Sequence, residues 1–91
     1  MAGRLDETLA ALADPTRRSV IDLLRHEPLR PSEIADALSM SRPALSRHLR
    51  VLREAGLVSE EAQPDDARVR LYQLRRQPFQ QLQRWLQQVS T

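Results

Sequence analysis

Ninety-one residues, 41% of them hydrophobic and 29% charged, describe one globular domain rather than a disordered chain. The absence of cysteine excludes disulfides, thiolate metal sites, iron–sulfur clusters and cysteine nucleophiles. No apolar run approaches the ~18 residues of a membrane span, so no membrane partner and a cytoplasmic location are expected.

Net charge is only +2, yet all fourteen basic residues are arginine and their distribution is uneven. Residues 41–55 sum to +3 and residues 63–77 to +2, whereas 31–40 and 56–62 each sum to −2. Such patches are what a phosphate-binding surface requires. A chain of this length buries only ~60–65% of its unfolded surface, so oligomerisation is a natural source of further stability.

In chain order, residues 4–13 read as a helix, with Leu5, Leu9 and Leu12 on one stripe and Asp6 and Glu7 in the first turn. Asp14-Pro15 is an N-cap followed by proline at N1, starting a second helix that runs to about His26, where Glu27-Pro28 ends it. Val20, Ile21, Leu23 and Leu24 give it a wide apolar face. In the connector that follows, Leu29 is placed for a brief strand contact. Pro31 opens a third helix with Glu33 at N3 and ends near Ser39; Ile34, Ala35 and Leu38 face inward.

Ser41 then caps a fourth helix, 41–55, which Gly56 terminates in the left-handed conformation. Leu45, Leu49 and Leu52 share one stripe, while Pro43, Arg47, Arg50 and Glu54 point nearly the opposite way. Two helices joined this tightly, the second with a basic outer face, make a helix-turn-helix over 31–55, although the turn lacks glycine. Short β-prone runs, 57–62 and 68–74, flank Pro64 and the turn formers Asp65 and Asp66, predicting an antiparallel hairpin. Its register stays open: Val69 and Leu71 have one parity, Tyr72 and Leu74 the other. Pro78 starts a last helix to about Val89 with a seam of Phe79, Leu82, Leu86 and Val89, flanked by Trp85.

The expected architecture is one domain over residues 1–91, mainly α with a small antiparallel hairpin, in the order four helices, two strands, one helix. The runs ALADPTRRSVIDLL, SEIADAL, SRPALSRHLRVLREAGLV and RVRLYQL together resemble the ArsR-like family of bacterial winged-helix repressors. The resemblance implies a winged helix-turn-helix, with a wing at 57–74, and a homodimer on an operator of approximate two-fold symmetry. It also implies that the terminal helices, 1–13 and 78–90, form the dimer interface. Metal-sensing relatives carry a Cys-x-Cys-type motif where this chain has Ser32-Glu33-Ile34-Ala35-Asp36, and others place Asp and His ligands on the last helix, which here has neither. No metal and no cofactor are expected.

The site expectations follow from side-chain chemistry. Ser41 caps its helix and can hold a phosphate at the amino end. Arg42, Arg47 and Arg50 can reach guanine O6/N7 or phosphate; Ala44 and Ser46 are small enough to let the helix sit deep, and Pro43 stiffens the first turn. Arg68 and Arg70 on the wing either add phosphate or minor-groove contacts or are ordinary exposed hairpin residues. Arg17 either packs or meets the DNA backbone. Arg53 is assigned a surface ion pair with Glu54 or an Asp neighbour, and His48 a packed, hydrogen-bonded place beside the leucine stripe. Leu5, Leu9, Phe79, Leu82, Leu86 and Val89 remain as end stripes, either paired across a two-fold axis, the favoured arrangement, or packed within one subunit. Paired, they would set two recognition helices roughly one DNA turn, ~34 Å, apart.

The expected function is sequence-specific binding to double-stranded DNA by a homodimeric repressor of its own operon at an imperfect palindrome. The alternative is a winged-helix protein–protein interaction module that does not touch DNA. No nucleophile–base pair or Gly-rich phosphate loop points to an enzyme. The release signal is left open between none, a small organic ligand between the terminal helices, and a partner protein.

Overall fold

The computed structural model describes residues 2–91; Met1, part of the expected terminal helix, lies outside the described residues. The order is α1 (Ala2–Leu12), α2 (Pro15–Leu24), α3 (Pro31–Leu38), α4 (Arg42–Glu54), β1 (Val58–Ala62), β2 (Arg70–Leu74) and α5 (Gln77–Val89). This is the expected winged helix-turn-helix. Val20, Ile34, Leu45, Leu52 and Leu57 are its most deeply buried large side chains, and α5 packs back on α1.

The helix starts are set by the residues that suit them. Asp14 Oδ1 accepts the Arg17 N–H at 3.0 Å ahead of Pro15, and Ser41 Oγ accepts the Ala44 N–H at 3.3 Å. Glu33 reaches back from N3, its Oε1 accepting the Arg30 N–H at 2.8 Å. Helix α2 stops two residues short of the expected His26. The Arg25 N–H still bonds Ile21 O, but the His26 N–H closes a tighter turn onto Leu23 O, and the chain leaves the helical region before Pro28.

Both helices of the helix-turn-helix end in the same left-handed turn. The Met40 N–H bonds Ala35 O at 2.9 Å around Ser39, and the Leu57 N–H bonds Leu52 O at 2.9 Å around Gly56. Ser39, at φ 52°, takes the place a glycine usually fills, which explains how the turn forms without one. Gly56, at φ 78°, has a second reason to lack a side chain: a Cβ there would lie 2.9 Å from Arg4 Nη1.

The hairpin register is Val58↔Leu74, Glu60↔Tyr72 and Ala62↔Arg70, which puts the parity of Tyr72 and Leu74 inward. Leu29 decides it. Its N–H and C=O exchange hydrogen bonds with Tyr72 at 3.0 and 2.8 Å, making Leu29 a one-residue third strand. Tyr72 is buried and its hydroxyl donates to Glu60 Oε2 at 2.7 Å. Glu60 also takes Arg70 Nη2 at 3.1 Å and stands 3.7 Å from Arg53 Nη1, so one carboxylate ties the wing to the end of α4. Arg53 thus pairs with Glu60, not with Glu54 or an Asp as expected. Sequence spacing on a helix favours near neighbours, whereas the hairpin folds back to bring Glu60 alongside.

On α1 the inward face differs from the leucine stripe. Thr8 and Ala11 are buried, Leu5 is half-buried and Leu9 is 41% exposed. Thr8 can be buried because its hydroxyl donates to Arg4 O at 3.0 Å.

Two predictions test these features. Ser39→Gly removes a left-handed penalty and should stabilise the fold by about 0.5–1 kcal/mol in urea melts, whereas Gly56→Ala should destabilise it by more than about 1 kcal/mol. The Tyr72 hydroxyl, then Arg70 and the nearby Arg53 charge, hold the Glu60 carboxyl below its ordinary 4.5. A carboxylate with a depressed folded value contributes stability that is full above that ordinary value and is lost as pH falls through the folded one. Melts of Glu60→Gln should therefore show about 1 kcal/mol less stability at pH 7. They should also show a shallower loss than wild type on the acid side of pH 5; an unchanged pH profile would refute the tie.

Candidate nucleic-acid interface

Burying Leu45, Leu49 and Leu52, none more than 3% exposed, leaves only one orientation for α4. Arg42, Pro43, Ser46, Arg47 and Arg50 are then exposed, and Ala44 is half-buried at the edge. Among the described residues no carboxylate lies within 4 Å of Arg42, Arg47 or Arg50. Their guanidinium groups are accordingly available to an external anion, and Ser46 between them keeps the face low enough for close approach.

The wing arginines differ. Arg68, its side chain 91% exposed, is held through Nε and Nη2 by Asp66 at 3.2 and 3.3 Å, and Arg70 by Glu60 at 3.1 Å. The Asp66 carboxyl is drawn below its ordinary value by Arg68, whose side chain and backbone N–H both donate to it. Exposed pairs of this kind are worth about 0–1 kcal/mol, so a phosphate can take over either arginine at little cost.

A cleft of about 230 Å³ brings Arg42 of α4 together with Arg68, Val69 and Arg70 of the wing and with Arg30, Pro31 and Ser32 at the start of α3. Arg30 did not stand out in the sequence. Its signal is its position: it immediately precedes the proline that opens the first helix of the helix-turn-helix, facing the wing. Its head group lies 3.4 Å from Glu33 Oε1. Four arginines from three parts of the chain thus line one depression, and among the described residues Arg42 alone of them has no carboxylate partner.

For Arg17 the structure selects packing. Its Nε donates to Ala11 O at 2.7 Å, Nη2 to Ala10 O at 3.3 Å and Nη1 to His48 Nδ1 at 3.4 Å, and its side chain is only 17% exposed. Of the two readings of Arg17, these contacts support packing: the end of α1 supplies two carbonyls to its guanidinium. Arginine can only donate, so His48 Nδ1 is the accepting atom of this contact. His48 is half-buried beside the leucine stripe, and through Arg17 it links α4 to the α1–α2 corner.

The end stripes divide. Leu9, Trp85, Leu86 and Val89 are 41, 38, 47 and 59% exposed, whereas Leu5 and Leu82 are half-buried. Phe79 packs against its own core beside Leu74, so for this residue the packing is within the subunit. Trp85, expected only to flank the seam, joins the exposed set. Among the described residues no helix is long and apolar enough to cross a membrane.

Comparison with known proteins accords with this architecture. The family model described as "Bacterial regulatory protein, arsR family" matches residues 14–60, the second to fourth helices and the start of the wing. The HTH-type transcriptional regulator Rv2034 of Mycobacterium tuberculosis is 48% identical over 69 residues, 76% of this chain and 62% of that protein. The transcriptional repressor SdpR of Bacillus subtilis is 34% identical over 56 residues, 62% of each chain. The chain therefore spans about three fifths (62%) of the length of these two curated relatives. A crystal structure of an ArsR family transcriptional regulator, RHA00566, superposes with a TM-score of 0.86 at 31% identity, covering 99% of this chain and 90% of that one. With its helix-turn-helix, wing and terminal helices all accounted for, the chain belongs to the ArsR family of bacterial regulatory proteins.

Proposed function

We propose that this chain is a sequence-specific, double-stranded-DNA-binding transcriptional regulator, acting as a homodimeric repressor of its own operon at an imperfect palindrome. The observation that carries the reading is the outer face of α4, where Arg42, Arg47 and Arg50 stand exposed without carboxylate partners around small residues. A helix of this shape enters the major groove with its amino end toward the bases. Arg47 and Arg50 are the base or phosphate contacts, Ser41 and Arg42 hold a phosphate at the amino end, and Pro43, Ala44 and Ser46 allow close approach. The arginine-lined cleft between wing and helix takes the adjoining backbone through Arg68 and Arg70, with Arg30 added to the set. Arg17 is left out of it. The repressor assignment is supported by the named activity of the SdpR relative.

The dimer is supported by the apolar side chains that the protomer leaves outside. Leu9, Trp85, Leu86 and Val89 lie on the two terminal helices, and pairing them across a two-fold axis removes them from water. Leu5 and Leu82 complete the stripe; Phe79 supports it from below.

Footprinting upstream of the gene should protect an imperfect palindrome. Arg47→Ala and Arg50→Ala should each weaken binding about 10–100-fold, the range of a lost bidentate contact, with Arg84→Ala on α5 as an unaffected control. Affinity for random duplex should fall steeply with salt; a flat salt response would favour the interaction-module reading.

Light scattering at micromolar concentration should give twice the chain mass, shifting to the monomer in Leu86→Glu. A monomeric wild type would remove the dimer.

A further inference from the structure

On the side away from the outer face of α4, two adjoining depressions between α1 and α5 share Arg4, Pro78 and Gln81 and form two chemically distinct lobes of one cleft. The first, of about 190 Å³, is lined by Arg4, Gly56, Arg75, Gln77, Pro78 and Gln81. The second, of about 290 Å³, shares Arg4, Pro78 and Gln81 with it and adds Leu5, Thr8 and Trp85. Neither lobe is lined by an acidic residue. Among the described residues, neither Arg4 nor Arg75 has a carboxylate within 4 Å, and neither guanidinium donates a hydrogen bond to the protein. Most other arginines off the α4 face are held by carboxylates or carbonyls, so two unengaged ones converging on a single depression stand apart. The neighbouring lobe offers the apolar faces of Leu5, Pro78 and Trp85. Its one hydroxyl, that of Thr8, is already bonded to Arg4 O.

We propose that this cleft binds a small amphipathic carboxylate, its head group between Arg4 and Arg75 and its apolar body against Leu5, Pro78 and Trp85. Two guanidinium groups select a planar anion, since each presents paired N–H donors that match a carboxylate. The apolar lobe beside them selects a hydrocarbon or aromatic tail over a free inorganic anion. Together the lobes fall at the small end of ordinary ligand pockets, ~300–1,000 Å³. Any regulatory role for the site rests on the DNA-binding reading above; the binding itself does not.

Trp85, the chain's one tryptophan, lines the cleft and also belongs to the stripe proposed to pair across the dimer axis, so light scattering accompanies its fluorescence: an unchanged mass assigns the signal to the cleft, and a mass that falls as ligand is added would overturn the proposal. The full chain, without DNA, is titrated with decanoate below its micelle-forming concentration and, in parallel, with the neutral decanol. Decanoate should give a saturable change with an affinity about tenfold or more above that of decanol, and added salt should narrow the gap. Arg4→Gln and Arg75→Gln should each weaken decanoate about tenfold while leaving decanol unchanged. Neither guanidinium is bonded within the fold, so both variants should keep the wild-type melting temperature. Absence of a saturable change, equal affinity for acid and alcohol, or indifference to both substitutions would overturn the proposal. Because no DNA is present, the outcome is independent of the footprinting result.

Discussion

The structure depends first on the burial of three leucines. Leu45, Leu49 and Leu52 are nearly or wholly removed from water, at about 2–3 kcal/mol for each side chain. A helix with that stripe inward has one rotational setting, and its arginines have no say in it. The basic face is the remainder: it is exposed because the opposite face is buried. Ile34 and Ala35 of α3 and Val20 of α2 complete the same core, so the first helix of the helix-turn-helix is seated by the same packing.

Around that core, arginine is used in two chemically different ways. Arg17, Arg18 and Arg76 bond backbone carbonyls at helix corners, Arg17 also reaching His48. Arg53 and Arg70 share Glu60, which receives Tyr72 as well. These interactions fix where the wing and the end of α4 lie. The arginines without carboxylate partners on α4 then face outward from a surface held rigid by the others. An all-arginine complement suits this division, because a planar fork bonds carbonyls, carboxylates and phosphates alike. The type of residue does not say which use it serves; only its neighbours do.

That explains what could be read from sequence. The helix starts were legible because Asp14, Pro15, Pro31, Glu33 and Ser41 act on N–H groups within three residues of themselves. The leucine stripe of α4 was legible because its period is local. The hairpin register was not, since both parities carry apolar residues and the deciding partner, Leu29, lies over forty positions away in the chain. For the same reason Arg53 met Glu60 rather than a neighbour, and Arg30 became part of a cleft completed by the wing. Arg17 was ambiguous because its partners, two carbonyls at the end of α1 and His48 of α4, are not placed by sequence order alone. On α1 the leucine stripe was legible from its local period, but the buried face of Thr8 and Ala11 was not, since small residues give no apolar signal and Thr8 satisfies its hydroxyl on its own helix. Ser39 shows the limit of residue-type rules: a left-handed turn required glycine only by preference, and two flanking hydrogen bonds hold a serine there.

The position of Gly56 carries the argument across the molecule. It ends α4 in the left-handed turn and also lines the cleft between α1 and α5, with the Arg4 head group where its side chain would be. Arg75, whose N–H bonds Leu57 O, joins the same turn to the segment leaving the wing. The cleft therefore borders both structures that present arginines to the opposite side. A ligand drawing Arg4 and Arg75 together acts on the turn that ends one and the strand exit that follows the other. It can alter DNA affinity only insofar as it binds more tightly to one arrangement of these elements than to another. The core leaves little freedom for α4 to rotate, because any rotation would expose the leucine stripe. In the proposed dimer, a shift of α1 and α5 against that turn would instead change the distance between the two copies of α4.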